Sequence, residues 1–246
     1  CAPMAVQFSN LSTGYSRSRW DFGDGSAISR ADAPQHTYFA TDTSFVVRLE
    51  VDTAGFCFDD TTLEIRVASF PEAAFTPSLT EHCGPTEVRF ANESFTAGLP
   101  LSYQWDFGNG ETSSLPDAQV TYDAPGNYTV KLVTRNAYGC PDSVEQLIEI
   151  IPQPEVLFVV NDPEGCAPFD VQFTDLSQNA NGWRWDFGDG GTSNDQNPAR
   201  SYVNFGQYDV TLVANYDGRC FDSLTQEDMI LVQPSPIADF RYEDSV

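Results

Sequence analysis

Trp20-Asp21-Phe22-Gly23-Asp24-Gly25 decides the fold, because it is written twice more, as Trp105-Asp106-Phe107-Gly108-Asn109-Gly110 and Trp185-Asp186-Phe187-Gly188-Asp189-Gly190. Trp and Phe two apart share one face of a strand, where they can fill the space between two sheets. The alternative, a sugar-stacking platform, uses the same spacing. The Gly-Asp-Gly tail (Gly25, Gly110 and Gly190 at its end) tolerates positive φ in a tight hairpin. The Asp before it (Asp21, Asp106, Asp186) accepts backbone N–H bonds across the turn. Copies 85 and then 80 residues apart make each repeat large enough to carry its own core.

Each repeat has the same order of signals. An apolar stretch (Ala73-Ala74-Phe75, Val156-Leu157-Phe158) precedes Cys-x-Pro (Cys83-Gly84-Pro85, Cys166-Ala167-Pro168; Cys1-Ala2-Pro3 in the first). Alternating strands follow at Val6-Gln7-Phe8, Val88-Arg89-Phe90 and Val171-Gln172-Phe173. Then come the Trp strand, a loop ending in Tyr38, Tyr122 or Tyr202, a long alternating strand, and a second Cys (Cys57, Cys140, Cys220). Short strands at even spacing, with turn signals between and almost no helix, predict an all-β chain of tandem sandwiches. The units are residues 1–70, 71–152 and 153–235, with residues 236–246 opening a further one. Brief proline-bearing junctions (Phe70-Pro71-Glu72, Ile151-Pro152-Gln153-Pro154, Gln233-Pro234-Ser235-Pro236) favour semi-rigid connection and an extended rod.

Pro236-Ile237-Ala238-Asp239-Phe240 repeats the opening strand of a unit, while the first unit has none before Cys1. Two explanations stay open. The sequence is a window cut out of register from a longer protein, or the C-terminal strand completes the first domain of a neighbouring chain by strand addition.

Twelve Lys and Arg stand against 36 Asp and Glu, a net charge of −24. That excludes phosphate backbones and anionic lipid surfaces as partners, so no nucleic acid is expected. No stretch reaches the roughly 20 apolar residues that span a bilayer, and no membrane insertion is expected. His36 and His82 do not recur between units, and no nucleophile with its base or metal cluster of recognised spacing is visible. An enzyme is not expected, and no catalytic or metal-ligating residue is assigned.

These residues resemble the PKD domain family, immunoglobulin-like sandwiches whose signature is the Trp-Asp-Phe-Gly-Asp-Gly strand and turn. The later signature, Tyr then Pro-Gly-x-Tyr, is similar to Tyr122-Asp123-Ala124-Pro125-Gly126-Asn127-Tyr128 and in part to Tyr202-Val203-Asn204-Phe205-Gly206-Gln207-Tyr208. The first unit departs from it at Tyr38-Phe39-Ala40-Thr41-Asp42-Thr43-Ser44-Phe45. The array also resembles large Bacteroidota surface and secreted proteins exported by the type IX system, adhesins among them. That resemblance implies an extracellular or cell-surface location and a stiff stalk or filament. Its implied partners are neighbouring repeats, a homo-oligomer, and a surface or glycan ligand. The alternative is a carbohydrate-binding accessory module beside a secreted hydrolase. Calcium is a minor expectation, since some PKD domains bind it.

Six regularly placed cysteines read as disulfides of an oxidising compartment. In an immunoglobulin-type sandwich the second and sixth strands run the same way, so the two cysteines of one unit lie at opposite ends. A strand of about ten residues spans roughly 33 Å, whereas bridged Cα atoms approach within about 7 Å. Cys1–Cys140 and Cys83–Cys220 are therefore favoured, leaving Cys57 and Cys166 to partners elsewhere. Pairing within units, and bonds between chains, remain alternatives. Asp142-Ser143-Val144 and Asp222-Ser223-Leu224, with Asp60-Thr61-Thr62 displaced by one, are similar to a Bacteroidota O-glycosylation motif, which would modify Thr61, Ser143 and Ser223. An ordinary strand start is the competing reading.

Overall fold

A computed structural model describes residues 1–241. Among them every regular element is a strand, and the strands make three two-sheet sandwiches. The first contains β1 (Met4–Gln7), β2 (Arg17–Asp21), β3 (Gln35–Tyr38), β4 (Thr43–Asp52) and β5 (Phe58–Val67). Its sheets are β1-β3 and β2-β4-β5. The second contains β6 (Phe75–Pro77), β7 (Glu81–Cys83), β8 (Thr86–Asn92), β9 (Leu101–Asp106), β10 (Thr112–Ser113), β11 (Ala118–Tyr122), β12 (Gly126–Asn136) and β13 (Pro141–Ile151). They are ordered β11-β8-β6 and β10-β9-β12-β13-β7. The third repeats that plan with β14 (Phe158–Val160), β15 (Glu164–Cys166), β16 (Phe169–Asp175), β17 (Gly182–Asp186), β18 (Thr192–Ser193), β19 (Ala199–Tyr202), β20 (Gly206–Tyr216) and β21 (Cys220–Gln233). By packing, the chain groups into two compact units. One is Cys1–Thr80, Glu87–Thr121 and Tyr128–Ile148; the other is Glu81–Thr86, Tyr122–Asn127 and Glu149–Val246.

Alternation drives each core. Trp20, Trp105 and Trp185 face Leu49, Leu132 and Leu212 across the β2–β4, β9–β12 and β17–β20 ladders. This shared register makes the three sandwiches directly comparable. Trp105 and Trp185 are wholly buried, and each packs against a Phe from the opposite sheet, Phe90 at 5.7 Å and Phe173 at 5.4 Å between ring centroids. The aromatic stripe is core, which accounts for its spacing without a sugar platform.

In the second and third sandwiches a short opening strand closes the smaller sheet, β6 on β8 and β14 on β16. The same four contacts seat it. Its Phe packs on the motif Trp, Phe75 on Trp105 at 5.1 Å and Phe158 on Trp185 at 5.0 Å. The N–H two residues earlier donates to a carboxylate of the last strand, Ala73 to Asp142 (2.8 Å) and Val156 to Asp222 (3.1 Å). The intervening N–H donates to a serine Oγ, Ala74 to Ser94 and Leu157 to Ser177, both at 3.2 Å. The Phe carbonyl accepts from a glutamine of the last strand, Gln146 Nε2 (2.7 Å) or Gln226 Nε2 (3.3 Å). In the first sandwich β1 pairs with β3 alone, and its other edge has no strand among the described residues.

Three features depart from the sequence reading. After the opening strand the chain crosses to the larger sheet, where β7 and β15 pair parallel with the ends of β13 and β21; a three-residue element leaves no periodicity to read. Register also realigns the triplet of the first unit. Val51 faces Asp59 as Ala214 faces Asp222, so Asp59-Asp60-Thr61 is the counterpart of Asp222-Ser223-Leu224, and Asp60 rather than Thr61 stands at the serine position. Finally, residues 236–241 carry no strand, with Ile237 and Phe240 at 94% and 88% exposure, and residues 242–246 of the expected fourth unit lie outside the described residues.

Candidate functional site

The recurring turn is built from two consecutive side-chain-to-backbone bonds. Asp21, Asp106 and Asp186 accept the N–H of Gly23, Gly108 and Gly188 at 2.9–3.0 Å. Asp24, Asn109 and Asp189 do the same for Ser26, Glu111 and Gly191. Gly108 sits at φ +76, and a Cβ there would lie 2.8 Å from the Thr129 carbonyl oxygen, so glycine is required twice over. The turns are fastened to the core by tyrosine hydroxyls, Tyr38 to the Phe22 carbonyl and Tyr202 to the Phe187 carbonyl, both at 3.1 Å. Burial, with the charge of Asp24 beside it, pushes the Tyr38 hydroxyl up to about 12.

His36 belongs to this fastening. Its ring lies 4.1 Å from Phe22 in parallel stacking, and its Nε2 is 2.7 Å from Asp24. Arg200, at the same position in the third sandwich, lies over Phe187 at 5.7 Å and donates to Asp189 at 2.8 Å. Where the carboxylate is replaced by Asn109, the corresponding partner is Val120. The acceptor and its partner change together within one chain, as a structural contact requires. Burial raises the Asp24 carboxyl, but bonds from Ser26 and His36 outweigh it and bring the group down to about 2. His82 lies on β7, with Nδ1 3.3 Å from the Gly84 carbonyl oxygen. Among the described residues no group of three or more His, Cys, Asp or Glu is placed to hold a metal ion.

The cysteines sit at the ends of the repeats. Cys1 is bonded to Cys140 with Cα atoms 5.6 Å apart, and Cys83 to Cys220 with Cα atoms 5.7 Å apart. Each bond joins the early cysteine of one repeat to the late cysteine of the next. Cys57 and Cys166 carry free, exposed thiols. Cys140 and Cys220 are buried, at 0% and 1% exposure.

Polar clamps surround both bonds. Beside Cys140, the buried Asn136 donates to the Ser69 carbonyl (2.8 Å), while its Oδ1 accepts from the Tyr138 and Cys140 N–H groups. Arg66 lies over the Tyr138 ring at 5.1 Å. Beside Cys220, Arg219 donates to both oxygens of Glu149 at 2.8 Å and approaches Glu81 at 2.6 Å. These bonds raise the already basic Arg219, led by Glu149, and hold Glu149 below the usual carboxylate range. A guanidinium fork on a carboxylate fixes orientation as well as charge. Gln153 adds a bond to the Phe221 carbonyl at 2.9 Å. Sequence reasoning found the cysteines but not Asn136, Arg219 or Glu149, because a lone polar residue at a strand end carries no repeat signal. Ser143 and Ser223 are exposed, one on β13 and one on β21, whereas the Asp before each is engaged by the opening strand.

Comparison with known proteins gives the family. The PKD domain matches residues 70–152 and 151–232. This chain belongs to the PKD domain family. Among solved structures, the PKD1 domain of Vibrio anguillarum Epp is 30% identical, aligning 33% of this chain with 94% of its own, at a TM-score of 0.30. The PKD1 domain of the Vibrio cholerae metalloprotease PrtV is 31% identical over 33% of this chain and 98% of its own, also at 0.30. The N-terminal eight Ig domains of the Down Syndrome Cell Adhesion Molecule match 96% of this chain and 35% of that one at a TM-score of 0.64 with 11% identity. The last match bears on fold alone and agrees with tandem sandwiches of immunoglobulin type.

Proposed function

We propose that this PKD array is a structural segment of an extracellular or cell-surface protein, serving as a stalk or filament that carries tension and presents neighbouring domains. The observation that carries the reading is the stagger of the disulfides, Cys1 to Cys140 and Cys83 to Cys220, each coupling one repeat to the next. A binding module that works alone has no use for such coupling, whereas a chain under tension does. The bonds themselves fit an oxidising compartment, and a charge of −24 keeps separate copies soluble at the cell exterior. Neighbouring repeats are the primary partners in this proposal, with a surface or glycan ligand carried elsewhere in the parent protein. Catalysis has no part in it.

Immunogold labelling of intact cells of the native source, with antibodies raised against this chain, tests the location and role together. Gold on extended material outside the envelope, released by external protease, is the expected result. Labelling only after permeabilisation contradicts the proposal.

A further inference from the structure

Asn-Gly occurs twice in the chain, as Asn109-Gly110 and Asn181-Gly182. In this dipeptide the backbone nitrogen after the asparagine can attack the side-chain amide, because glycine adds no side chain to hinder the approach and leaves the backbone free to turn. The two copies are held very differently. Asn109 and Gly110 form the exposed tip of the turn in the second sandwich. Gly110 lies at φ +92, and a Cβ there would meet nothing within 4 Å. Among the described residues its N–H donates no hydrogen bond. The attacking nitrogen and the space it needs are both available.

Asn181-Gly182 is fixed instead. The Asn181 N–H donates to the Asn215 carbonyl at 2.9 Å, and Gly182 pairs with Asn215 at the start of β17. A Cβ at Gly182 would lie 2.5 Å from Asn215 Nδ2, so the glycine has no room to reorient. The side chains of the two asparagines are engaged alike. Asn109 Oδ1 accepts the Glu111 N–H at 3.0 Å, and Asn181 Oδ1 accepts the Asp217 N–H at 2.8 Å. A donor already aimed at the amide oxygen stabilises the charge that develops there when Cγ is attacked. With the side chains matched, the difference between the sites lies in the backbone.

The sister turns differ in the other partner. Asp24-Gly25 and Asp189-Gly190 have glycines as open as Gly110, with nothing within 4 Å of a Cβ. Their side chains are carboxylates, far weaker acceptors for a nucleophile than an amide, and are engaged by His36 at 2.7 Å and Arg200 at 2.8 Å. Of the three turns, the second alone joins an amide to an open glycine.

We propose that Asn109 is a site of spontaneous modification, where the Gly110 nitrogen displaces the side-chain amide and rewrites this one turn as the protein ages. The Gly110 N–H gives its proton to hydroxide, a bond forms from that nitrogen to Asn109 Cγ, and the Cγ–Nδ2 bond breaks. Nδ2 leaves as ammonia with a proton returned from water. A second water opens the cyclic imide. Breaking the new bond leaves an aspartate at position 109, whereas breaking the original peptide bond leaves an isoaspartate, its backbone routed through Cβ. Either way one water is consumed, one ammonia is lost and one negative charge is added. That charge lies two residues from Glu111, and Val120 stands where His36 and Arg200 serve the sister turns. The isoaspartate also lengthens the backbone beneath the bond to the Glu111 N–H, so this turn loosens while the other two hold. None of this depends on the protein's location or on a load-bearing role.

Incubation of the whole oxidised chain at mildly alkaline pH in water enriched in heavy oxygen, followed by peptide mapping, tests the assignment. Methylation by an isoaspartate-specific methyltransferase is the second readout. The Asn109 peptide should gain heavy oxygen at least about tenfold faster than the Asn181 peptide, a ratio that needs only about 1.4 kcal/mol of local opening at Asn181. Once the chain is reduced and unfolded in urea, the two should convert at similar rates. Asn109→Gln, at an exposed turn tip, should remove the methylation of the folded chain. Equal conversion of Asn109 and Asn181 in the folded chain, methylation that survives Asn109→Gln, or an Asn109 amide retained in the folded chain but lost from the unfolded one overturns the proposal.

Discussion

Pulled from its two ends, the oxidised chain should stop extending at about 300 Å, against roughly 860 Å for the reduced chain, taking about 3.5 Å per extended residue. The two disulfides overlap in sequence, so the shortest covalent route crosses from Cys1 to Cys140, returns along the chain to Cys83, crosses to Cys220 and runs on to Val246. The whole of the first sandwich is bypassed, and its unfolding under load releases no length. Single-molecule force spectroscopy with and without reductant reads this directly. Equal contour lengths in the two conditions would remove the covalent basis for a tension-carrying role. Chain-entropy arguments assign each such bond about 5 kcal/mol against global unfolding for loops of this size. The mechanical limit does not depend on that figure.

Replacing Trp185 by Ala should destabilise the third sandwich by about 3–5 kcal/mol, a large fraction of the stability of an ordinary domain. Trp185 has no exposed surface, packs within 5.0 Å of Phe158 and donates its indole N–H to the Asp195 carbonyl at 2.9 Å. Trp20→Ala supplies the internal control. Its indole N–H is unpartnered and no opening-strand Phe covers it, so its loss should cost less, about 2 kcal/mol. Urea unfolding of both variants measures the difference. A Trp20→Ala effect equal to that of Trp185→Ala would show that the opening strand contributes nothing to the motif's environment.

The fold was legible because Trp-Asp-Phe-Gly-Asp-Gly places its chemistry within six consecutive residues. A Trp and a Phe on one strand face, a turn carboxylate and two glycines each act locally. The opening-strand seats were not legible, since Asp142, Ser94 and Gln146 reach Ala73, Ala74 and Phe75 across 20 to 71 residues of sequence. In a strand pattern each of these reads as an ordinary solvent-facing polar residue. The misplacement at Asp60-Thr61-Thr62 has a similar cause. Asp59 and Asp60 are adjacent, and only pairing with Val51 and Glu50 tells which of them stands in the register of Asp222. Strand direction, by contrast, is a property of the whole fold class, and it separates the two cysteines of a unit without knowledge of any side-chain contact.

An intradomain cysteine scheme would impose a similar limit on extension, so connectivity itself is the decisive quantity. Proteolysis of the oxidised chain without reductant, with thiols blocked beforehand and linked peptides identified by mass spectrometry, measures it. Peptides joining Cys1 to Cys140 and Cys83 to Cys220, with Cys57 and Cys166 recovered as blocked thiols, are the predicted result. Peptides joining Cys1 to Cys57, Cys83 to Cys140 and Cys166 to Cys220 would contradict it, leaving three sandwiches that are each closed on themselves and not coupled to their neighbours.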